Sequence, residues 1–267
     1  MGKTVCSFYE SIGDFAAELD RLPSEQKTRM SASGFNGNET FAQARQSLVK
    51  GKLDVVPRAD ALMTKLAGDA IELGHTQWEQ SVAGFIPCVP AYLSGSPESM
   101  YRPVEVQSDR APVRVFASVC VSAGISTDNL EKRGIAILAL CQKLTSIRPV
   151  ELYLYADMGG SGWACIPCIK VETSPLDLST ATYALSGAAF LRQLCFAWAH
   201  ERGWETEWAW GRDPNSSDAQ SKTRKLLGLE DTDLLIPGGY ADDPIIKKPV
   251  EWLNKQISKY TAELEAA

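Results

Sequence analysis

From Pro112 to the C-terminus the sequence predicts an α/β domain: a doubly wound, mostly parallel sheet covered by helices, behind a mainly helical N-terminal part. Three observations predict it. Val113–Val121 is β-branched and near-continuously apolar after Arg114, as a strand covered on both faces should be. Leu130, Ile135, Leu138, Cys141 and Leu144 then recur at helical spacing, behind Thr127 or Asp128 as a cap. Val150–Ala156 is a second strand, and strand, helix and strand joined by short links make a right-handed crossover with parallel pairing.

The same alternation continues. Ala164–Val171 reads as a strand, with an antiparallel arrangement open after the Gly159-Gly160-Ser161-Gly162 turn. Ala181–His200 is an amphipathic helix, Trp204–Trp210 and Asp233–Ile236 are short strands, and Pro249–Leu264 is a closing helix. Upstream, Ser11–Leu19 has helical apolar spacing that runs out near Pro23. Thr40 precedes a second helix that stops near Gly51, and a third spans about Arg58 to Leu73. Between the two parts, Gly84, Pro87, Pro90, Gly95, Pro97 and Pro103 forbid a long helix. The division is therefore a helical part over 1–75, an extended connector over 76–111 whose apolar side chains pack on the core, and an α/β domain over 112–267.

Composition narrows the function classes. A hydrophobic content of 45% with 22% charged residues is that of a folded protein, and a net charge of −6 disfavours a broad nucleic-acid-binding face. The most basic strip, Lys222, Arg224 and Lys225, lies beside the acidic Glu230, Asp231 and Asp233. No signal-peptide h-region or membrane-length apolar window is present, so no membrane role is expected. The 7 cysteines sit in apolar stretches, as buried thiols do in a reducing cytoplasm.

The candidate chemistry is sparse. Cys165-Ile166-Pro167-Cys168 has no second cysteine pair for zinc, and on a strand its two thiols point to opposite faces. His75 and His200 have no nucleophile or acid at motif spacing, and no P-loop, Gly-x-Gly-x-x-Gly or Gly-x-Ser-x-Gly is present. Trp204, Trp208 and Trp210 would share one strand face, as core packing, a protein-binding surface or a base-stacking surface. Loops after the C-terminal ends of parallel strands are where such sheets bind ligands. They carry Ser122, Ser126, Asp157, Asp242 and Asp243, oxygen donors that suit Mg²⁺ if they converge and that serve singly as caps and turns if they do not.

Two stretches carry resemblances. Val119–Ser126 followed by Arg133–Leu140 resembles the opening of a von Willebrand factor A-type domain, a Rossmann-like doubly wound fold. Working members hold a metal with Asp-x-Ser-x-Ser on this turn; the aligned residues here are Ser122, Gly124 and Ser126, so Ser126 alone carries over. Gly34–Ala44 and Val82–Met100, with Pro-Ala-Tyr-Leu-Ser-Gly-Ser-Pro-Glu-Ser-Met inside the latter, resemble uncharacterised proteins of bacteriophages and prophages. The resemblances imply a phage protein in a bacterial cytoplasm and a degenerate A-type domain. The expected function is non-enzymatic protein binding, an adaptor for a phage or host protein, with no cofactor. Two alternatives stand beside it: an Mg²⁺-dependent enzyme using Asp157, Asp242 and Asp243, and a single-stranded nucleic-acid binder using the basic strip and the tryptophans.

Overall fold

Local signals set most of the helices. The Ser11 hydroxyl accepts the Asp14 N–H and opens α1 (Ile12–Asp20), and a short α2 (Ser24–Thr28) follows Pro23. Thr40 and Gln43 form a reciprocal capping box at the start of α3 (Phe41–Lys50), and the helix ends at Gly51, whose φ of 69° suits glycine. Ahead of them lies β1 (Thr4–Tyr9), and after them α4 (Val56–Asp69). The chain is a computed structural model that describes residues 4–69, 78–83, 86–103, 111–145, 148–160, 163–173, 176–204 and 216–266.

The next stretch forms its own small antiparallel sheet. β2 (Trp78–Ser81), β3 (Ile86–Pro87) and β4 (Met100–Pro103) pair in the order β2-β4-β3, with α5 (Val89–Leu93) between the last two. The sequence predicts that this segment buries its apolar side chains on the core; instead Tyr92 and Leu93 on α5 are 72% and 77% exposed. A one-turn helix behind Pro87 and ahead of Gly95 presents them outward.

The main sheet comprises β1, β5 (Val113–Ser118), β6 (Val150–Tyr155), β7 (Met158–Gly160), β8 (Trp163–Val171) and β9 (Leu234–Ile236). Its order is β1-β8-β6-β5-β9, with β7 paired to β8. β1 with β8, β5 with β6 and β5 with β9 are parallel, whereas β8 runs antiparallel to β6 and β7. The predicted parallel β5–β6 unit is present, its strands joined by α6 (Thr127–Thr145), and β8 takes the antiparallel arrangement that the sequence leaves open. The remaining helices are α7 (Leu178–Ser186), α8 (Phe196–Glu201), α9 (Ser217–Leu227), α10 (Pro244–Lys247) and α11 (Pro249–Ala266).

Three differences from the sequence reading matter. β1 brings the N-terminal stretch into the main sheet, where a helical part was expected to begin. The single helix expected over Ala181–His200 is broken: α7 ends at Gly187, a π-helical turn spans Phe190–Cys195, and α8 follows. Finally, Ser126 caps α6 in place of Thr127 or Asp128, its hydroxyl accepting the Asn129 N–H at 3.3 Å.

Alternation along the strands separates two apolar layers. Val113, Val115 and Ala117 of β5 with Leu152 and Leu154 of β6 join one large core, which also holds Phe15, Leu48, Ile135, Trp198 and Leu253. Phe116, Tyr155, Ile166 and Cys168 face the other way, into a smaller cluster whose helical residues, among those described, come from α9. Among the described residues, burial is therefore heavier on the first face than on the second.

Candidate functional site

Three parallel strands end on one rim, and the chain stitches that rim together with backbone bonds. β5 continues past Ser118 so that Val121 bridges Gly239, with Ser122 N–H donating to Gly239 O at 3.0 Å and Gly239 N–H to Cys120 O at 3.2 Å. The Val119 N–H donates to Tyr155 O at 2.9 Å, joining this extension to β6. The turn after β9 must be glycine-rich here, because a β-carbon on Gly238 would lie 2.2 Å from Cys120 O.

Between these segments and α9 lies a cleft of about 260 Å³. Its walls include Ser118, Cys120, Ser122, Asp157, Thr223 and Tyr240. Asp157 is 6% exposed, and its Oδ2 accepts the Thr223 hydroxyl at 2.5 Å, so α9 is tied to the loop after β6. Ser118 Oγ accepts the Cys120 N–H at 3.1 Å. Burial, reinforced by the Asp157 charge, pushes the Cys120 thiol up to about 12 and the Cys6 thiol up to about 11. Burial also raises the Tyr155 phenol, which keeps its proton and reaches toward Ile236 O. Thiols and a phenol held in their neutral forms are poor nucleophiles and poor bases.

Two buried arginines brace the rim from behind. Arg133, on α6, is 1% exposed and donates from Nη2 to Pro237 O at 2.7 Å, whereas its Nη1 has no hydrogen-bond partner in the structure. Burial lowers its pKa, with Asp243 among the charges that oppose the shift. Arg192, on the π-helical turn, stacks over Phe35 with 4.4 Å to the ring centroid and donates from Nη1 to Phe35 O and from Nη2 to Ser122 O at 3.3 Å. The Gly34–Asn36 turn, whose capping box joins Ser33 and Asn36, is thereby fastened to the rim.

The candidate rim residues divide. Ser122 and Asp157 line the cleft, as their places after parallel strands predict. Ser126 serves as the α6 cap. Asp243 turns back to accept the Tyr240 N–H at 2.8 Å, and burial raises its carboxyl pKa. Asp242 is exposed at the same turn. Among the described residues no three His, Cys, Asp or Glu side chains gather as a metal-ligand group, so Asp157, Asp242 and Asp243 do not converge. Sequence reasoning missed Ser118, Tyr155, Gln220 and Thr223. The helix that carries the last two was signalled by the Ser216 cap, Asp218 in the first turn and the left-handed Gly228 at the end.

The other motifs resolve into structure. Cys165 belongs to the large core and Cys168 to the smaller cluster across the sheet, and no disulfide joins any of the cysteines. Trp204 is 2% exposed, packed 4.9 Å from both Phe196 and His200, so it is not part of an aromatic surface; Trp208 and Trp210 lie outside the described residues, as does His75. His200 Nδ1 contacts Trp204 O at 2.5 Å, which gives that ring a structural task. In the basic strip Lys222 pairs with Asp218, and Arg224 caps the carbonyls of Glu230 and Asp233. No helix among the described residues is long and apolar enough to cross a membrane.

A family model described as "Domain of unknown function (DUF7192)" matches residues 2–264, and the chain belongs to that family. No curated protein and no solved structure matches the chain.

Proposed function

We propose that this member of the family is a non-enzymatic phage protein of the bacterial cytoplasm, a protein-binding module on a degenerate von Willebrand A-type domain, engaging its partner at the sheet rim. The observation that carries the reading is how the polar groups of the rim are used. Asp157 holds Thr223, Asp243 holds the Tyr240 amide, and the Cys120 thiol is pushed up to about 12. Catalysis asks for a base or nucleophile poised near the working pH, and these groups are instead set to hold the walls of a cleft in place. A cleft of about 260 Å³, lined by the Ser118, Ser122 and Thr223 hydroxyls and the Asp157 carboxylate beside the apolar Val121, Leu235 and Pro237, suits a partner side chain with an apolar stem and a polar tip.

The A-type reading draws on the β5–turn–α6–β6 crossover, with the Ser122–Ser126 turn at the ligand rim. The test pairs two measurements. Protein captured from infected cells by the wild-type chain should be lost with Tyr240→Ala, which removes a cleft wall that is 38% exposed, while thermal unfolding stays unchanged. Calorimetry should detect no Mg²⁺ binding in the micromolar range. Micromolar divalent binding, or capture indifferent to the cleft, refutes the reading.

A further inference from the structure

One buried charge gives the rim cleft its sign. Among the described residues that line the cleft, Asp157 is the single charged side chain, 6% exposed, with the Thr223 hydroxyl on its Oδ2. A hydroxyl donor orients a carboxylate without neutralising it. The helices around the cleft direct their cations to other tasks. On α9, Ala219, Gln220 and Thr223 line the cleft, while Lys222 pairs with Asp218 and Arg224 caps the carbonyls of Glu230 and Asp233. Arg133 of α6 donates to Pro237 O from behind the rim. At Cys120 and Tyr155, both on the cleft wall, the Asp157 charge raises the side-chain pKa more than Arg133 lowers it. The local field at these two points is therefore negative. Backbone amides that could cradle an anion are committed within the rim. Val119 N–H donates to Tyr155 O, Cys120 N–H to Ser118 Oγ, Ser122 N–H to Gly239 O and Gly239 N–H to Cys120 O.

We propose that the cleft seats a cationic side chain, lysine or arginine, of the partner protein. This rests on the cleft being the docking site, as proposed above, and names the chemistry that the partner must present there. Lysine and arginine carry a charged head on an apolar stem. Val121, Leu235 and Pro237 cover the stem, and the head meets Asp157 beside the Ser118 and Ser122 hydroxyls. Tyr240, 38% exposed, adds an aromatic wall of the kind that attracts a cation. Charge complementarity selects this occupant over the other polar tips. A carboxylate or phosphate would meet a like charge in a site where water screens little, and a neutral tip would gain no attraction from it.

The probes are the Nα-acetyl amides of arginine and lysine, with those of citrulline and norleucine as neutral counterparts of similar stem, titrated into the full chain by NMR. The two cations should move the backbone resonances of Ser122, Asp157 and Gly239 with a Kd of about 1–20 mM, and the neutral pair should bind at least about tenfold more weakly. Added salt should weaken the cations alone. Asp157→Asn keeps an acceptor for the Thr223 hydroxyl and removes the charge, so arginine and citrulline should then bind alike. Should that variant fail to fold, the comparison of arginine with citrulline in the wild-type chain still decides. Equal binding of that pair to the wild type, cleft resonances unmoved by either cation up to about 50 mM, or inorganic phosphate bound there in preference overturns the proposal. Partner capture that Tyr240→Ala abolishes and Asp157→Asn leaves intact overturns it too, yet keeps the cleft as the docking site. Capture indifferent to Tyr240→Ala removes the docking site itself, and the cationic occupant with it.

Discussion

Gly238 shows how one residue holds the rim. Its missing β-carbon would fall 2.2 Å from a backbone oxygen, Cys120 O, which no rotamer change can move aside. Gly238→Ala is therefore expected to destabilise the chain by about 2–4 kcal/mol in denaturant titrations, because the turn and the β5 extension must part. Gly124→Ala, where nothing lies within 4 Å, serves as the control and should stay within about 0.5 kcal/mol. The thiols give a second check. With Cys6 pushed up to about 11 and Cys120 up to about 12, the thiolate fraction at pH 8 is on the order of 10⁻³ or less. Both should label slowly with a thiol reagent in the native protein and fast once unfolded; rapid native labelling of Cys120 would count against an inert rim. At this scale the sequence was partly legible. Ser122 and Asp157 follow from strand order, because residues just past parallel strands reach the rim whatever their neighbours. Asp243 did not follow, since its direction is set by a local turn to the Tyr240 amide.

Elements with their own punctuation were readable, and those that depend on neighbours were not. α1 and α3 carry a hydroxyl cap and a helical apolar stripe, so Ser11 and Thr40 announce them. β1 carries no such signal: six residues, four of them half-buried and two exposed, become a strand because β8 offers an edge. The pair Glu151–Lys170, 2.7 Å apart across β6 and β8, is likewise a product of register. The Lys170 ammonium holds the Glu151 carboxyl below its ordinary 4.5, against the opposing effect of burial. A carboxylate with a depressed folded pKa contributes stability above its unfolded value, and the contribution is lost as pH falls through the folded one. Both side chains are about 30% exposed, so the contribution is modest, about 0.5–1 kcal/mol. Lys170→Met should lose that amount at pH 7, and the difference from wild type should shrink as the pH is lowered below 4.5. A difference independent of pH would assign the loss to packing.

The molecule as a whole depends on contacts that cross the boundaries its sequence texture suggests. Phe15, Phe41, Leu48 and Leu66 from the first 70 residues share one buried cluster with Ile135, Phe190, Trp198 and Leu253. Polar ties run the same way: Tyr183 donates to Glu39, Arg202 pairs with Glu18 at 2.6 Å, and Gln193 bonds the carbonyls of Met30 and Glu39. Sequence periodicity reports which face of a helix is apolar and not which element will cover it, so a helical stretch followed by an α/β stretch reads as two parts. If the shared core governs stability, removing the helices α1, α3 and α4 strips the cover from α6, α7 and the π-helical turn and exposes large apolar surface. Calorimetry of the full chain should then show one cooperative transition with equal calorimetric and van't Hoff enthalpies. A chain beginning at Pro112 should lose its near-ultraviolet dichroism, because Trp198 would lose the Tyr9 hydroxyl and the Phe15–Phe190 packing beside it. Two resolved transitions, or a Pro112 chain that melts sharply, would mean that the α/β part keeps its own core and that the helices are an appendage.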